Sequence, residues 1–256
     1  MSEKHYQISP IELIQWAEPR FSRGKTPAEG FSEAWLASYE AAAGIRIPAA
    51  LRDFLLTCGE ASLNYNLHPI YPPDRDAKPF DRHMTFTYDY IQADLEWFTE
   101  HGEEDDEELA RFRALPRGQW GELVGNYLIF WCENQGCWLA GIRAEDLDQP
   151  NPVVYYNDED DMYHWAPFAD SLQSFLLTVS LENLCEGLRL KAMQDPAGMR
   201  RILEEGGVDF QRLQEPYPFP GGRFAHTCLD TGTNTLYVYG EPAEGRPAYL
   251  NVIRAQ

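Results

Sequence analysis

Apolar positions along the chain change period several times, and each change marks an element. Ser9-Pro10-Ile11-Glu12 reads as a helix start, with Ser9 as N-cap, Pro10 in the first turn and Glu12 closing a capping box. Ile11, Ile14 and Trp16 follow, and Pro19 is expected to stop the helix. A polar connector, 20–30, leads to a helix from Ser32 to Ala43 with Trp35, Leu36, Tyr39 and Ala43 on one face and Gly44 beyond its end. Pro48 opens a third helix, Ala49 to Cys58, burying Leu51, Phe54, Leu55 and Cys58.

From Thr85 the period falls to two. Phe86, Tyr88 and Tyr90 alternate with polar neighbours, which predicts a half-buried strand. A helix is expected at Asp106 to Ala114, its acids crowding the positive N-terminal end. Glu122 to Cys132 is apolar on both faces and reads as a central strand, turning through Glu133-Asn134-Gln135-Gly136 into an antiparallel partner, Cys137 to Ile142. Short strands follow at Val153 to Tyr156 and Met162 to Trp165, then a helix capped by Asp170 with Gln173 and closed by Gly187. Asp195-Pro196 starts a last helix, halted by Gly206-Gly207. Arg223 to Asp230, Thr235 to Gly240 and Ala248 to Ile253 fit a three-stranded meander.

Charge then changes the picture. Against 21 Lys and Arg stand 41 Asp and Glu, a net −20 with a pI near 4.6. Such a chain is repelled by phosphate backbones and anionic lipid heads, so no nucleic acid and no membrane is expected as partner. A basic protein is. The acids concentrate: Asp94 to Glu108 holds nine acids and no Lys or Arg, and the 45 residues between Arg143 and Arg189 hold ten acids and no Lys or Arg. Leu188 to Gln256 is neutral, with eight of each sign. Without interspersed cations these carboxylates cannot neutralise one another locally, and their field steers a basic partner. Asp158, Glu159, Asp160 and Asp161 are the expected contact residues, with Tyr156 and Trp165 as aromatic anchors.

Other chemistry finds little support. Gly24-Lys25-Thr26 lacks the first glycine of a phosphate-binding loop, because Pro19 stands there. The 158–161 acids are followed by Met162 and Tyr163 where a calcium loop needs an oxygen ligand and a glycine. The six histidines form no metal-binding pair, and no nucleophile sits beside a recognisable base. No catalytic residue, metal or cofactor is expected. Five cysteines without metal spacing read as reduced core residues. Met1 to Pro10 has no apolar stretch to serve as a secretion signal, and no window approaches ~20 apolar residues, so a cytoplasmic protein is expected.

Phe31 to Leu36 with Tyr39 and Gly44, then Ile47-Pro48-Ala49-Ala50-Leu51-Arg52-Asp53-Phe54-Leu55, resembles the aromatic helix and the following helix of the SUKH superfamily, which includes the yeast cell-wall synthesis regulator and many bacterial immunity proteins. Leu128-Ile129-Phe130, Glu133-Asn134-Gln135-Gly136 and Trp138 resemble its hairpin, and Asp148-Gln149-Pro150-Asn151-Pro152-Val153 its step before a later strand. The resemblance covers about 30–187. It implies an α+β fold, a bent antiparallel sheet with packed helices, and no enzymatic activity. It also implies an immunity protein that neutralises a cognate basic toxin such as a nuclease; the alternative is a regulatory or scaffolding protein with several partners.

The expected organisation is therefore an N-terminal helix and connector (1–29), the acidic SUKH-like domain (30–187), and a helix plus three-stranded extension (188–256) packed on it. Glu133, Asn134, Gln135, Gly136 and Trp138 are expected to hold the hairpin rather than bind. A monomer is the favoured state, with a homodimer through the final strand the alternative.

Overall fold

The computed structural model describes residues 3–21, 27–64, 84–102, 107–133, 138–158, 161–214, 226–242 and 247–255. In chain order its elements begin with β1 (Lys4–Tyr6), α1 (Pro10–Phe21), α2 (Glu33–Ala43), α3 (Ala49–Cys58), β2 (Thr85–Phe86) and α4 (Thr87–His101). Next come α5 (Glu107–Arg113), α6 (Trp120–Val124), β3 (Tyr127–Cys132), β4 (Trp138–Arg143), β5 (Val154–Asp158) and β6 (Asp161–Ala169). The remainder is α7 (Leu172–Gly187), α8 (Pro196–Glu205), α9 (Phe210–Leu213), β7 (His226–Asp230), β8 (Thr235–Gly240) and β9 (Tyr249–Arg254). The fold is α+β with two antiparallel sheets.

Contacts gather the chain into two units. One combines 1–31, 53–64 and 169–256; the other combines 32–52 and 65–168. This grouping cuts across the sequence-based boundaries at 29/30 and 187/188. In particular, α7 belongs with α1 and the C-terminal strands.

The reason lies in the first unit's core. Its sheet, ordered β1-β7-β8-β9, is covered on both faces. Leu229, Leu236, Val238 and Ile253 pack with Leu13, Trp16 and Ala17 of α1 and with Leu177, Leu181 and Leu184 of α7. Cys228, Tyr237, Tyr239 and Leu250 pack with Met199 and Leu203 of α8 and with Val208 and Leu213. The alternation in β8 therefore assigns its residues to two buried layers, not to one wet and one dry face. Along the outer edge of β9, Met193 and Leu250 exchange backbone hydrogen bonds at 2.9 and 2.8 Å.

The second unit is a five-stranded meander, β2-β3-β4-β5-β6, with a register shift in β3 between Ile129 and Trp131. At its β2 end, Leu95 of α4 packs with Phe112, Trp120 and Val124 from α5 and α6.

Local signals held at several starts and stops. Ser9 Oγ accepts from the Glu12 amide at 3.2 Å, and Glu12 Oε2 accepts from the Ser9 amide at 2.7 Å, completing the box. Ser32 caps α2, whose end is closed by Gly44 at φ 66°, and Asp195 caps α8. Pro19 does not end α1, which runs to Phe21; a proline near a C-terminus forfeits one bond and clashes only with the turn before it. The expected strand from Thr85 is two residues long and becomes α4, because Leu95 and Thr87 are buried at helical spacing while Tyr90 faces out. Glu122 to Val124 are helical, and Gly125 at φ 70° makes the break before β3. The cap of α7 is Ser171, whose hydroxyl accepts from the Ser174 amide, and not Asp170.

Candidate interaction surfaces

The acidic turn expected to bind lies between β5 and β6. Asp158 closes one strand and Asp161 opens the next; Glu159 and Asp160 lie outside the described residues, as do Asn134, Gln135 and Gly136 of the other hairpin. The ten acids of the cation-free stretch are shared between the units: those up to Asp161 belong to one, and Asp170, Glu182 and Glu186 to the other.

The two residues expected to be aromatic anchors diverge. Tyr156 pairs with Ala140 across the ladder, and its ring meets Phe168 edge-on at 5.8 Å. Trp165 instead lies against Gly141, the partner of Tyr155, and stacks on Tyr127 at 4.4 Å. Adjacent ladder positions point to opposite faces, so Tyr156 and Trp165 lie on different sides of the sheet. A Cβ at Gly141 would meet the Trp165 ring at 3.0 Å, which explains the glycine in a central strand.

Each face has its own aromatic assembly. On the Tyr156 side, Trp131 and Trp138 have centroids 4.1 Å apart, and Phe168 lies 5.4 Å from Trp138. Trp138 thus serves as a cross-strand packing residue, and Glu133 extends the ladder by donating its amide to the Trp138 carbonyl at 3.0 Å. On the Trp165 side, the Arg143 guanidinium sits 4.4 Å over the Tyr155 ring. The neighbouring Tyr127 hydroxyl raises the Arg143 pKa further, while burial raises that of Tyr155. Gly125, Asn126, Tyr127, Arg143, Ala144 and Glu145 line an open hollow of about 350 Å³ beside them.

A larger cleft, about 560 Å³, lies where α2, the start of α3 and the 147–150 turn converge. The Ala50 amide donates to the Pro150 carbonyl at 2.8 Å, joining two segments that carried the sequence resemblance. Arg52 bridges Glu33 and Glu40 there: it donates to Glu33 at 2.9 Å, and a second contact lies 3.6 Å from Glu40. That pairing holds the Glu33 carboxyl below its ordinary pKa. Sequence reasoning missed this cleft because its polar side chains are about a hundred residues apart from the turn they face. Among the described residues no three His, Cys, Asp or Glu side chains converge to hold a metal ion.

The profile of the SMI1 / KNR4 family (SUKH-1) matches residues 30–178, more than half of the chain. The chain belongs to that family. This SUKH chain extends past the match through the rest of α7 and the C-terminal sheet. No curated protein and no solved structure matches it. No helix among the described residues is long and apolar enough to cross a membrane.

Proposed function

We propose that this SUKH protein is a non-enzymatic binding module that neutralises a basic toxin, such as a nuclease, by covering its active site with an acidic surface. The observation that carries the reading is the run of 45 residues without Lys or Arg, part of which lies where β5 gives way to β6. A nuclease site must be positive to hold phosphate, so a carboxylate-rich turn competes for it, and long-range attraction speeds encounter. The family's immunity members point the same way. On this reading the protein works in the cytoplasm, without cofactor or metal.

The test is association with the toxin encoded beside the gene. Replacing Asp158, Glu159, Asp160 and Asp161 by Asn and Gln should leave the melting temperature unchanged. It should lower the association rate and flatten its dependence on salt. No toxin gene nearby, together with several weaker partners, would replace this reading by a regulatory scaffold. Equal rates and salt slopes for both proteins would remove the hairpin from the interface.

A further inference from the structure

The other acidic concentration begins within α4, and there the structure adds something that charge counting does not. The inner side of α4 is committed to the cluster of Leu95, Phe112, Trp120 and Val124. Its outer side carries Tyr90, 39% exposed, and Trp97, 56% exposed, the two large apolar side chains left most open among the described residues. Seven residues are nearly two full turns, so both rings stand on one stripe. His101, four residues on, extends the stripe: its ring stacks on Trp97 at 5.1 Å and 17°, and its Nδ1 lies 2.9 Å from the Trp97 carbonyl. The stack restricts the indole, and a ring held in place loses less entropy on binding.

Carboxylates run alongside. Asp89, Glu96 and Glu100 project from the same helix, which contains no Lys or Arg. The chain itself displays what the flank of α4 next to this stripe accepts. The Arg117 guanidinium lies 3.5 Å from Glu96 and 2.5 Å from Glu100, one helical turn apart, and sits 5.8 Å over the Trp120 ring. Arg113 donates to the Thr99 and Gly102 carbonyls at the helix end, each at 3.0 Å. Guanidinium groups thus already lodge between carboxylates, carbonyls and an indole on the flank beside the stripe, the geometry that favours arginine over lysine.

We propose that the Tyr90–Trp97–His101 stripe of α4 is a docking face for an arginine-rich segment of a partner protein, with Trp97 taking a guanidinium on its ring. The inference shares with the proposed function only the premise of a basic partner. It places a contact at the β2 end of the five-stranded sheet, whereas the β5–β6 hairpin is three strands away. An arginine side chain on an exposed indole is worth a few-fold in affinity, and more where the ring is desolvated.

The probe is fluorescein-labelled nona-arginine, with nona-lysine as comparison, titrated into the full chain at physiological salt. Trp97→Ala should weaken nona-arginine about fivefold with an unchanged melting temperature, Trp97→Phe should weaken it less, and nona-lysine should respond less than nona-arginine. Hydrogen exchange with peptide bound should slow in 87–101, and Tyr90→Ala should reduce that protection. Equal affinity of Trp97→Ala and wild type, or protection confined to other segments, overturns the proposal. If a cognate toxin binds and loses affinity with the hairpin variant but not with Trp97→Ala, the α4 face is wrong and the proposed function stands. If no toxin binds while nona-arginine still docks on α4, the proposed function fails alone.

Discussion

Lys4 Nζ donates to Asp230 Oδ2 at 2.9 Å, across a ladder in which the two residues are register partners 226 positions apart. Asp230 is 2% exposed, and its other oxygen accepts from the Gly232 and Thr233 amides at 3.0 and 3.2 Å, so one carboxylate holds both the β1 edge and the β7–β8 turn. Lys4→Met leaves that charge short of its cation and should cost about 1–3 kcal/mol in chemical denaturation. The hydrogen bond to Asp230 raises the Lys4 pKa above its ordinary value. The stabilisation is therefore fully present below about pH 10.4 and is lost as pH climbs through the raised pKa. Wild type should lose stability over that alkaline range more steeply than Lys4→Met; parallel curves would show that the pair contributes nothing.

Gly240 faces Tyr249 in the last ladder, and an added Cβ would lie 2.0 Å from the tyrosine ring. The ring covers the glycine so closely that even one methyl must displace it. Gly240→Ala should lower stability by roughly 1–3 kcal/mol, read as a fall in melting temperature. An unchanged melting temperature would mean the ring swings away at no cost.

Ending the chain at Leu188 removes β7, β8 and β9. Leu177, Leu181 and Leu184 of α7, with Leu13 and Trp16 of α1, would lose the sheet they pack on. The shortened protein should aggregate or melt well below the full chain. A soluble, cooperatively melting shortened monomer would show instead that α1 and α7 are sustained by other contacts, and a dimeric full chain beside it would make the tail an assembly element.

Burial pushes the Cys58 thiol up to about 12 and those of Cys185 and Cys228 up to about 11. Only the thiolate attacks, so at pH 8 these groups should react with a disulfide reagent at least tenfold more slowly than after unfolding in urea. Fast labelling of all three in the native protein would contradict their burial.

Where a residue's neighbours in sequence decided its conformation, reading the sequence succeeded. Ser9 with Glu12, Gly44 and Asp195 act through bonds spanning three or four positions, and the elements they bound were placed within a residue or two. It failed where distant packing decides. Phe86, Tyr88 and Tyr90 alternate like a strand, but Leu95 meets Phe112 and Trp120, and that contact selects the helix. β1 is three polar or aromatic residues whose only cue is a partner beyond position 225. The binding candidates show the same division: the acidic hairpin is visible as a run, whereas the separation of Tyr156 from Trp165 depends on which rung of β4 each one meets.

The interleaving of the two units has a consequence for birth on the ribosome. The unit built from 32–52 and 65–168 is complete in the emerging chain before the other has any of its last three strands. At typical elongation rates, β1 and the apolar side of α1 wait roughly 10–45 s for β7 to be synthesised. During that interval Leu13, Trp16 and Ala17 have no sheet to cover them, and they are the surface a nascent-chain chaperone would find.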